Sequence, residues 1–358
     1  MILLSHRVSK RAYQCSTSFS IISCLLILSP LLFIKSYILP FQDSNFLPLG
    51  ISFFSLQAVS YFLDVKKGLL PPQSLFSTAL YLSFFPQLVA GPIEKPKQLI
   101  QRLRHLKAPS NSRLYYSFSM ILIALFKKQV LGDRFYDLYA MQGSIALSTF
   151  CFGLFIYFDF SAYCQIARAS AMLFGVKISQ NFKRPYLASN LKDFWMRWHT
   201  SLRRFFVDYV YIPLGGNTKV FASFMVFLIS AIWHGLTIGF LLWGIWHFLF
   251  HTLSKKIRFG FILTQVLVFS SWFLFQQSNW SFISSPSIKS EAYTFQFTHL
   301  FLLILGSAYF YWEYLEEFSK TKVRLLRKAY QPWFLLTLLF LIVLFGKTQS
   351  KLFLYYRF

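Results

Sequence analysis

Two histidines stand next to tryptophans in a chain otherwise dominated by Phe, Leu and Ile: His199 in NLKDFWMRWHTSL and His234 in ISAIWHGL. Imidazole is the side chain best suited to move a proton near neutral pH, and burial favours its neutral, basic form. Beside an activated acyl carbon, such a ring can take the proton of a hydroxyl as that hydroxyl attacks. The sequence shows no readable Ser–His–Asp or Cys–His arrangement, so a covalent acyl-enzyme has no evident nucleophile. His247 and His251 lie one helical turn apart in WHFLFHTL, but Phe248 occupies the place of the glutamate in a zinc-binding HExxH motif. His234 and His247 are thirteen residues apart, a spacing at which one long helix can carry two haem ligands. Gly235, Gly239 and the lack of a second ligand-bearing helix weigh against that redox reading. His6, His105 and His299 read as loop or interface residues.

The neighbours of these histidines set their solvent. Of 358 residues, 56% are hydrophobic, 21% aromatic and only 13% charged, and the mean hydropathy is +0.49. Soluble domains carry about 25% charged residues, so the chain has about half the charged surface that water would require. Net charge is +24, from 36 basic and 12 acidic side chains. Nucleic-acid-binding domains are not this apolar, and the cations fall in short clusters between apolar runs, as the positive-inside rule requires of a polytopic membrane protein. Cys15, Cys24, Cys151 and Cys164 lack metal-ligand spacing and read as small buried hydrophobes. The first apolar run follows a basic patch without a small-residue cleavage site, so it reads as a retained span.

Apolar windows at 19–34, 46–63, 74–90, 114–131, 145–163, 220–234, 236–252, 259–275, 297–315 and 332–346 predict an all-α fold of about 8–11 transmembrane or re-entrant helices. They form one domain over 1–358, without repeats. Basic clusters at 7–11, 95–113, 127–128, 177–204, 255–258 and 320–328 mark the cytoplasmic side, whereas 36–50 and 276–300 read as outside. The alternation fails between 46 and 113, which a re-entrant hairpin broken at Pro86, Gly91 and Pro92 would resolve.

The segment 190–212 predicts an interfacial amphipathic helix. Leu191, Phe194, Trp195, Trp198, Leu202, Phe205, Phe206 and Tyr209 form one stripe. Asn190 is its cap, Asp193–Arg197 and Arg204–Asp208 are intrahelical ion pairs, and the PLGG at 213–216 ends it in a tight turn. His199 sits at the stripe's edge, able to face protein or interface. His234, within the helices of 219–252, lies about 22 Å along a helix from Lys219, deep among apolar residues where ionisable groups are costly. It reads either as a functional base or as a hydrogen-bonded core histidine. Gly235 and Gly239 would let a backbone or a substrate approach closely.

Six motifs then occur in a familiar order: GISFFSLQAVSYFLDV (51–65), YLSFFPQLVAGPI (81–93), FDFSAY (158–163), NFKRPYLASNLKDFWMRWHTSL (181–202), DYVYIPLGGN (208–217) and AIWHG (231–235). Together they resemble the membrane-bound O-acyltransferase family, most closely its bacterial branch of alginate and peptidoglycan O-acetyltransferases. The resemblance is dense over about 33–250 and loose elsewhere. It implies a funnel-shaped helical fold in which His234 is the catalytic histidine and His199 the second motif histidine. Asp193, Trp195, Arg197 and Trp198 would build the helix of the second motif, Trp233 and Gly235 would flank the catalytic residue, and Asp159 belongs to the DFS element.

The implied reaction is O-acylation, with acetyl as the expected group, of an alginate-like or peptidoglycan polysaccharide of the cell envelope. The donor would be a cytoplasmic thioester, acetyl-CoA or a carrier-bound acyl group, with no tightly bound cofactor and no metal. An extracytoplasmic SGNH-type acetyltransferase is the expected partner, no nucleic acid is expected, and the location is the bacterial inner membrane, crossed many times. A non-catalytic acyl transporter or scaffold of the same fold is the rival reading. Two departures stand out: the resemblance implies one or more helices before LFIKSYILPF that these residues do not supply, and Gln276 stands where an arginine is expected. With 177–204 on the cytoplasmic side, a cysteine introduced at Lys183 is expected to escape impermeant maleimide added to intact cells; rapid labelling from outside would reverse the orientation.

Overall fold

The computed structural model describes residues 2–11, 17–33, 50–140, 144–254, 256–257, 259–276, 297–318 and 320–347, and the elements below belong to these residues. All regular structure among them is helical. In order the helices are α1 (Ile2–Arg11), α2 (Thr17–Phe33), α3 (Ile51–Lys66), α4 (Leu75–Leu82), α5 (Phe85–Leu88), α6 (Pro96–Arg104), α7 (Asn111–Leu125), α8 (Asp133–Ala140), α9 (Ile145–Leu173), α10 (Leu191–Arg197), α11 (Thr200–Phe206), α12 (Val220–His234), α13 (Ile238–Leu253), α14 (Phe261–Gln276), α15 (Phe297–Phe318) and α16 (Lys320–Phe345). Every apolar window of the sequence coincides with helix. Of the expected outside segments 36–50 and 276–300, residues 36–49 and 277–296 lie beyond the described residues, as do Cys15 and the side chains of 320–331 and of His299.

A π-helical turn, Phe126–Gly132, joins α7 and α8 into one helical rod, Asn111–Ala140, of 30 residues beside the 29 residues of α9. At 1.5 Å per residue each reaches about 45 Å, longer than the roughly 30 Å hydrocarbon core of a bilayer. Both are long and apolar enough to cross it, and Phe19–Phe33, Val220–His234, Ile238–Leu253, Phe261–Gln276 and Pro332–Phe345 are shorter apolar helices. Large apolar side chains cover the outer faces of the bundle: Phe76, Ile145, Ile238, Ile262 and Val343 are each at least 73% exposed. Such a surface belongs in lipid, and the molecule is a membrane protein.

Packing fixes the pair that carries His234. Gly244 of α13 lies so close to α12 that an added Cβ would come within 2.9 Å of both the Phe227 carbonyl oxygen and the Ala231 Cβ. Only glycine allows that approach. The window 74–90 breaks into α4 and α5 around Ser83–Phe84, with Pro86 opening α5. The freed backbone is satisfied inside the protein, since Gln87 Nε2 donates to the Tyr81 carbonyl at 2.6 Å and Gln57 Nε2 donates to that of Gln87 at 3.3 Å. An irregular turn at membrane depth requires such partners.

Two sequence expectations fail here. Of the loop and interface alternatives for His6, the loop one fails, because the residue is buried in helix α1. Lys127 and Lys128 are no exposed loop cluster; they lie in the π-turn, 4% and 3% exposed. A charge pattern read along the chain cannot separate a loop lysine from one buried with a counter-ion. Lys128 Nζ donates to Asp159 at 2.6 Å and to Asp133 at 2.8 Å. Asp159 therefore belongs to a buried ion triad that ties α9 to the α7–α8 rod.

Breaking such a group by removing one partner costs about 3–5 kcal/mol, because the remaining charges stay buried. Lys128→Met is expected to lower the thermal midpoint of the detergent-solubilised protein sharply. The triple change Lys128→Met/Asp133→Asn/Asp159→Asn should recover most of that loss, as read by intrinsic fluorescence on heating.

Candidate functional site

The segment expected to form one interfacial helix is two short helices, α10 and α11, with a break at Trp198–His199. Asn190 caps α10 as its type predicts, its Oδ1 accepting from the Asp193 amide at 2.9 Å. Arg197 Nε donates to Asp193 at 2.8 Å, the expected pair. His199 then takes φ 44°, ψ 51°, a left-handed conformation that L-residues adopt at a cost. Bonds to the extended segment before Pro185 hold it. The Lys183 amide donates to the Arg197 carbonyl, the Thr200 amide to the Asn181 carbonyl, and the Ser201 amide to Asn181 Oδ1. These bonds replace the helical ladder at the break. The second expected pair is also replaced: Arg204 donates to the Ile93 carbonyl and to Ser179, while Asp208 pairs with Lys95 at 2.7 Å. The glycine turn forms as expected, with φ 99° at Gly215 and 55° at Gly216.

The break turns His199 inward, where it is 2% exposed. Its ring stacks on Phe53 at 5.8 Å and meets the edges of Phe160 at 4.9 Å and Trp233 at 6.4 Å. His199 belongs to the non-spanning α10–α11 segment, and burial pushes its imidazole down from 6.5 to about 3, so the ring is neutral at physiological pH.

His234 ends α12 and is 7% exposed. Four aromatic rings surround it: Trp233 at 4.8 Å, Phe275 at 5.1 Å, Trp243 at 5.3 Å and Phe240 at 5.7 Å. Gly235 is needed because a Cβ there would lie 2.7 Å from the Phe240 ring. Helix α12 stops at His234 and α13 starts at Ile238, so His234 and His247 lie on two helices of a hairpin and not on one long helix. Both flank Trp243, with His247 at 4.9 Å from it. The one-helix geometry behind the haem reading is absent.

Trp233 is thus in ring contact with both imidazoles. Its Nε1 donates to the Ser52 carbonyl at 3.4 Å, which anchors the indole to the start of α3. Trp195 reaches His234 only through Trp243, at 5.9 Å, and also meets His247 at 4.9 Å. Trp198 packs on Phe182 and Trp272, both at 5.0 Å. Asp159 faces its lysine, while the next residue, Phe160, touches His199. Sequence reasoning did not single out Phe53, Phe160, Phe182, Phe240, Trp243, Phe275 or Asn181; in a chain with 45 phenylalanines, an aromatic wall residue has no signature.

Two cavities lie beside this core. One of about 570 Å³ runs between α7–α9 and α15–α16, lined by Lys127, Tyr157, Cys164, Asn181, Phe182 and Glu313 among others. The other, about 410 Å³, is lined by Gln180, Lys183, Arg184, Asp193, Met196, Arg197 and Glu317. Glu316 and Glu317, at the end of α15, hold Arg184 at 2.6 and 2.7 Å, and Glu317 also accepts from Arg197 at 3.1 Å.

An all-helical bundle with an apolar outer surface, which buries two imidazoles in contact with one indole, defines an integral-membrane protein. The chain belongs to the membrane-bound O-acyltransferase family, whose sequence model matches residues 12–288. It is 33% identical over 294 residues to the peptidoglycan O-acetyltransferase of Helicobacter pylori, covering 68% of this chain and 55% of that protein. Similarity to the probable alginate O-acetylase AlgI of Pseudomonas aeruginosa is 29% over 257 residues, 65% of this chain and 49% of the relative. The teichoic acid D-alanyltransferase of Bacillus subtilis is 27% identical over 224 residues, 56% of each chain. The chain spans about half the length of the curated relatives it matches.

The folded imidazole of His199 holds its proton less tightly than the same ring in the unfolded chain. Between about 6.5 and about 3 the unfolded chain therefore binds more protons, so stability is complete above 6.5 and falls as pH drops. The contribution is at most about 1.4 kcal/mol per pH unit. Thermal midpoints measured across that window should fall less steeply for His199→Phe than for the wild type; equal slopes would contradict the burial argument.

Proposed function

We propose that the protein catalyses O-acylation of a cell-envelope polysaccharide, with His234 as the general base. The observation that carries this reading is the pair of buried imidazoles that both contact Trp233, at 6.4 and 4.8 Å between ring centres. In the proposed reaction an acceptor hydroxyl, which relays the acyl group toward the polysaccharide, attacks the carbonyl carbon of a thioester. The hydroxyl proton passes to a ring nitrogen of His234, the C–S bond breaks, and the departing thiolate receives that proton. Aromatic walls keep competing water away. His199 is assigned to orienting one of the two reactants, and Trp233 fixes its ring relative to His234. Asp193, Trp195, Arg197 and Trp198 support the wall that carries His199, Gly235 seats Phe240, and Asp159 holds the α9 face opposite.

Acetyl is the proposed group, supplied from the cytoplasm by acetyl-CoA or an acyl carrier. The names of the peptidoglycan and alginate relatives support this choice. The proposed setting is the bacterial inner membrane, crossed many times, with an SGNH-type acetyltransferase completing transfer outside. The two helices long enough to span and the shorter apolar helices support that placement.

His234→Gln and His234→Ala are expected to reduce polysaccharide O-acetylation in a complemented deletion strain by at least about 100-fold, the scale of a lost general base, with normal protein levels. Trp233→Phe should retain more activity than Trp233→Ala. Full acetylation in His234→Ala would favour the scaffold reading.

A further inference from the structure

Arg184 lines both cavities, and its two carboxylate partners are divided between them. Glu316 faces the larger chamber, and Glu317 faces the outer vestibule that also contains Lys183 and Arg197. The guanidinium, 27% exposed, binds Glu316 at 2.6 Å and Glu317 at 2.7 Å, at the boundary of the two spaces that Gln180 also lines. Arg184 also has φ 52° immediately before Pro185, a left-handed conformation that a non-glycine residue adopts only when its surroundings hold it there. Its carbonyl accepts from the Leu187 amide at 3.1 Å, and its side chain is fixed by the two ion pairs. Behind that boundary, Phe182 lines the chamber and packs against Phe160 at 5.0 Å, the ring that touches His199.

From this geometry we infer that Arg184 is a gate residue: its exchange of carboxylate partners opens a route from the vestibule into the chamber behind His199. The guanidinium fork can leave Glu316 while keeping Glu317, because separate nitrogens, Nη2 and Nη1, hold the two carboxylates. Closure is therefore electrostatic and sensitive to salt, whereas the hydrophobic packing around it is not. Which ligand enters rests on the acyl-transfer reading above, with the thioester arm as the passenger; the existence of the gate does not.

The chain carries its own reporter. The Cys164 thiol lines the chamber, while Cys151, 1% exposed elsewhere on α9, lines neither cavity and reports unfolding. In the full-length protein with Cys15→Ser and Cys24→Ser, alkylation by N-ethylmaleimide is followed at each thiol by mass spectrometry. Arg184→Gln, and separately Glu316→Gln/Glu317→Gln, should speed modification of Cys164 about ten-fold, the order set by a few partly exposed ion pairs. Cys151 should stay protected. Raising NaCl from 0.05 to 0.5 M should speed Cys164 in the unsubstituted protein and leave Arg184→Gln unaffected. Unchanged Cys164 rates in both variants, or a rise only in step with Cys151, would overturn the gate. Because the readout is alkylation, loss of the acyl-transfer reading would leave these results intact.

Discussion

Trp233 is the side chain on which the arrangement depends. It contacts His199 and His234 with its ring and anchors to α3 through its Nε1–H, so three elements separated in sequence meet on one indole. An indole is rigid, with two side-chain torsions, and its polar edge is satisfied by the Ser52 carbonyl. It can set the spacing of two imidazoles inside an apolar core without adding a charge there. The relation of the two histidines follows from that spacer, and the spacer from the glycine-mediated contact of α12 with α13.

His199 comes within reach because its helix breaks. A continuous amphipathic helix over 190–209 would keep the ring at the edge of its stripe, half committed to the interface. Asn181 diverts the backbone at Thr200 and Ser201, and the left-handed turn drives the imidazole among Phe53, Phe160 and Trp233. The strain of that turn is offset by backbone bonds to the 180–183 segment, whose next residue, Arg184, is strained in turn and held by α15. Two unfavourable backbone sites therefore flank the 185–198 stretch, Arg184 and His199.

Membrane context changes what burial means. The outer faces of the bundle are as apolar as its interior, so helix association depends on close packing and on polar groups paired inside. The Lys128–Asp133–Asp159 triad and the Arg184–Glu317–Arg197 network are such pairings, one deep and one near the cavities. They also explain why counting lysines along the chain misread 127–128: charge predicts topology only while it stays in loops.

The sequence by itself determined the helical, membrane-embedded class, since composition and window length follow from the solvent the chain must match. It determined the Asn190 cap, the glycine turn at 215–216 and the Asp193–Arg197 pair, because each depends on residues within one turn of one another. It also singled out His199 and His234, as ionisable groups in apolar surroundings are conspicuous. Tertiary structure alone decided which rings face them, where the 190–209 helix breaks, which carboxylates hold Arg184 and that Asp159 serves a lysine. Those outcomes join residues tens to more than a hundred positions apart, through packing and long-range hydrogen bonds that no local periodicity encodes.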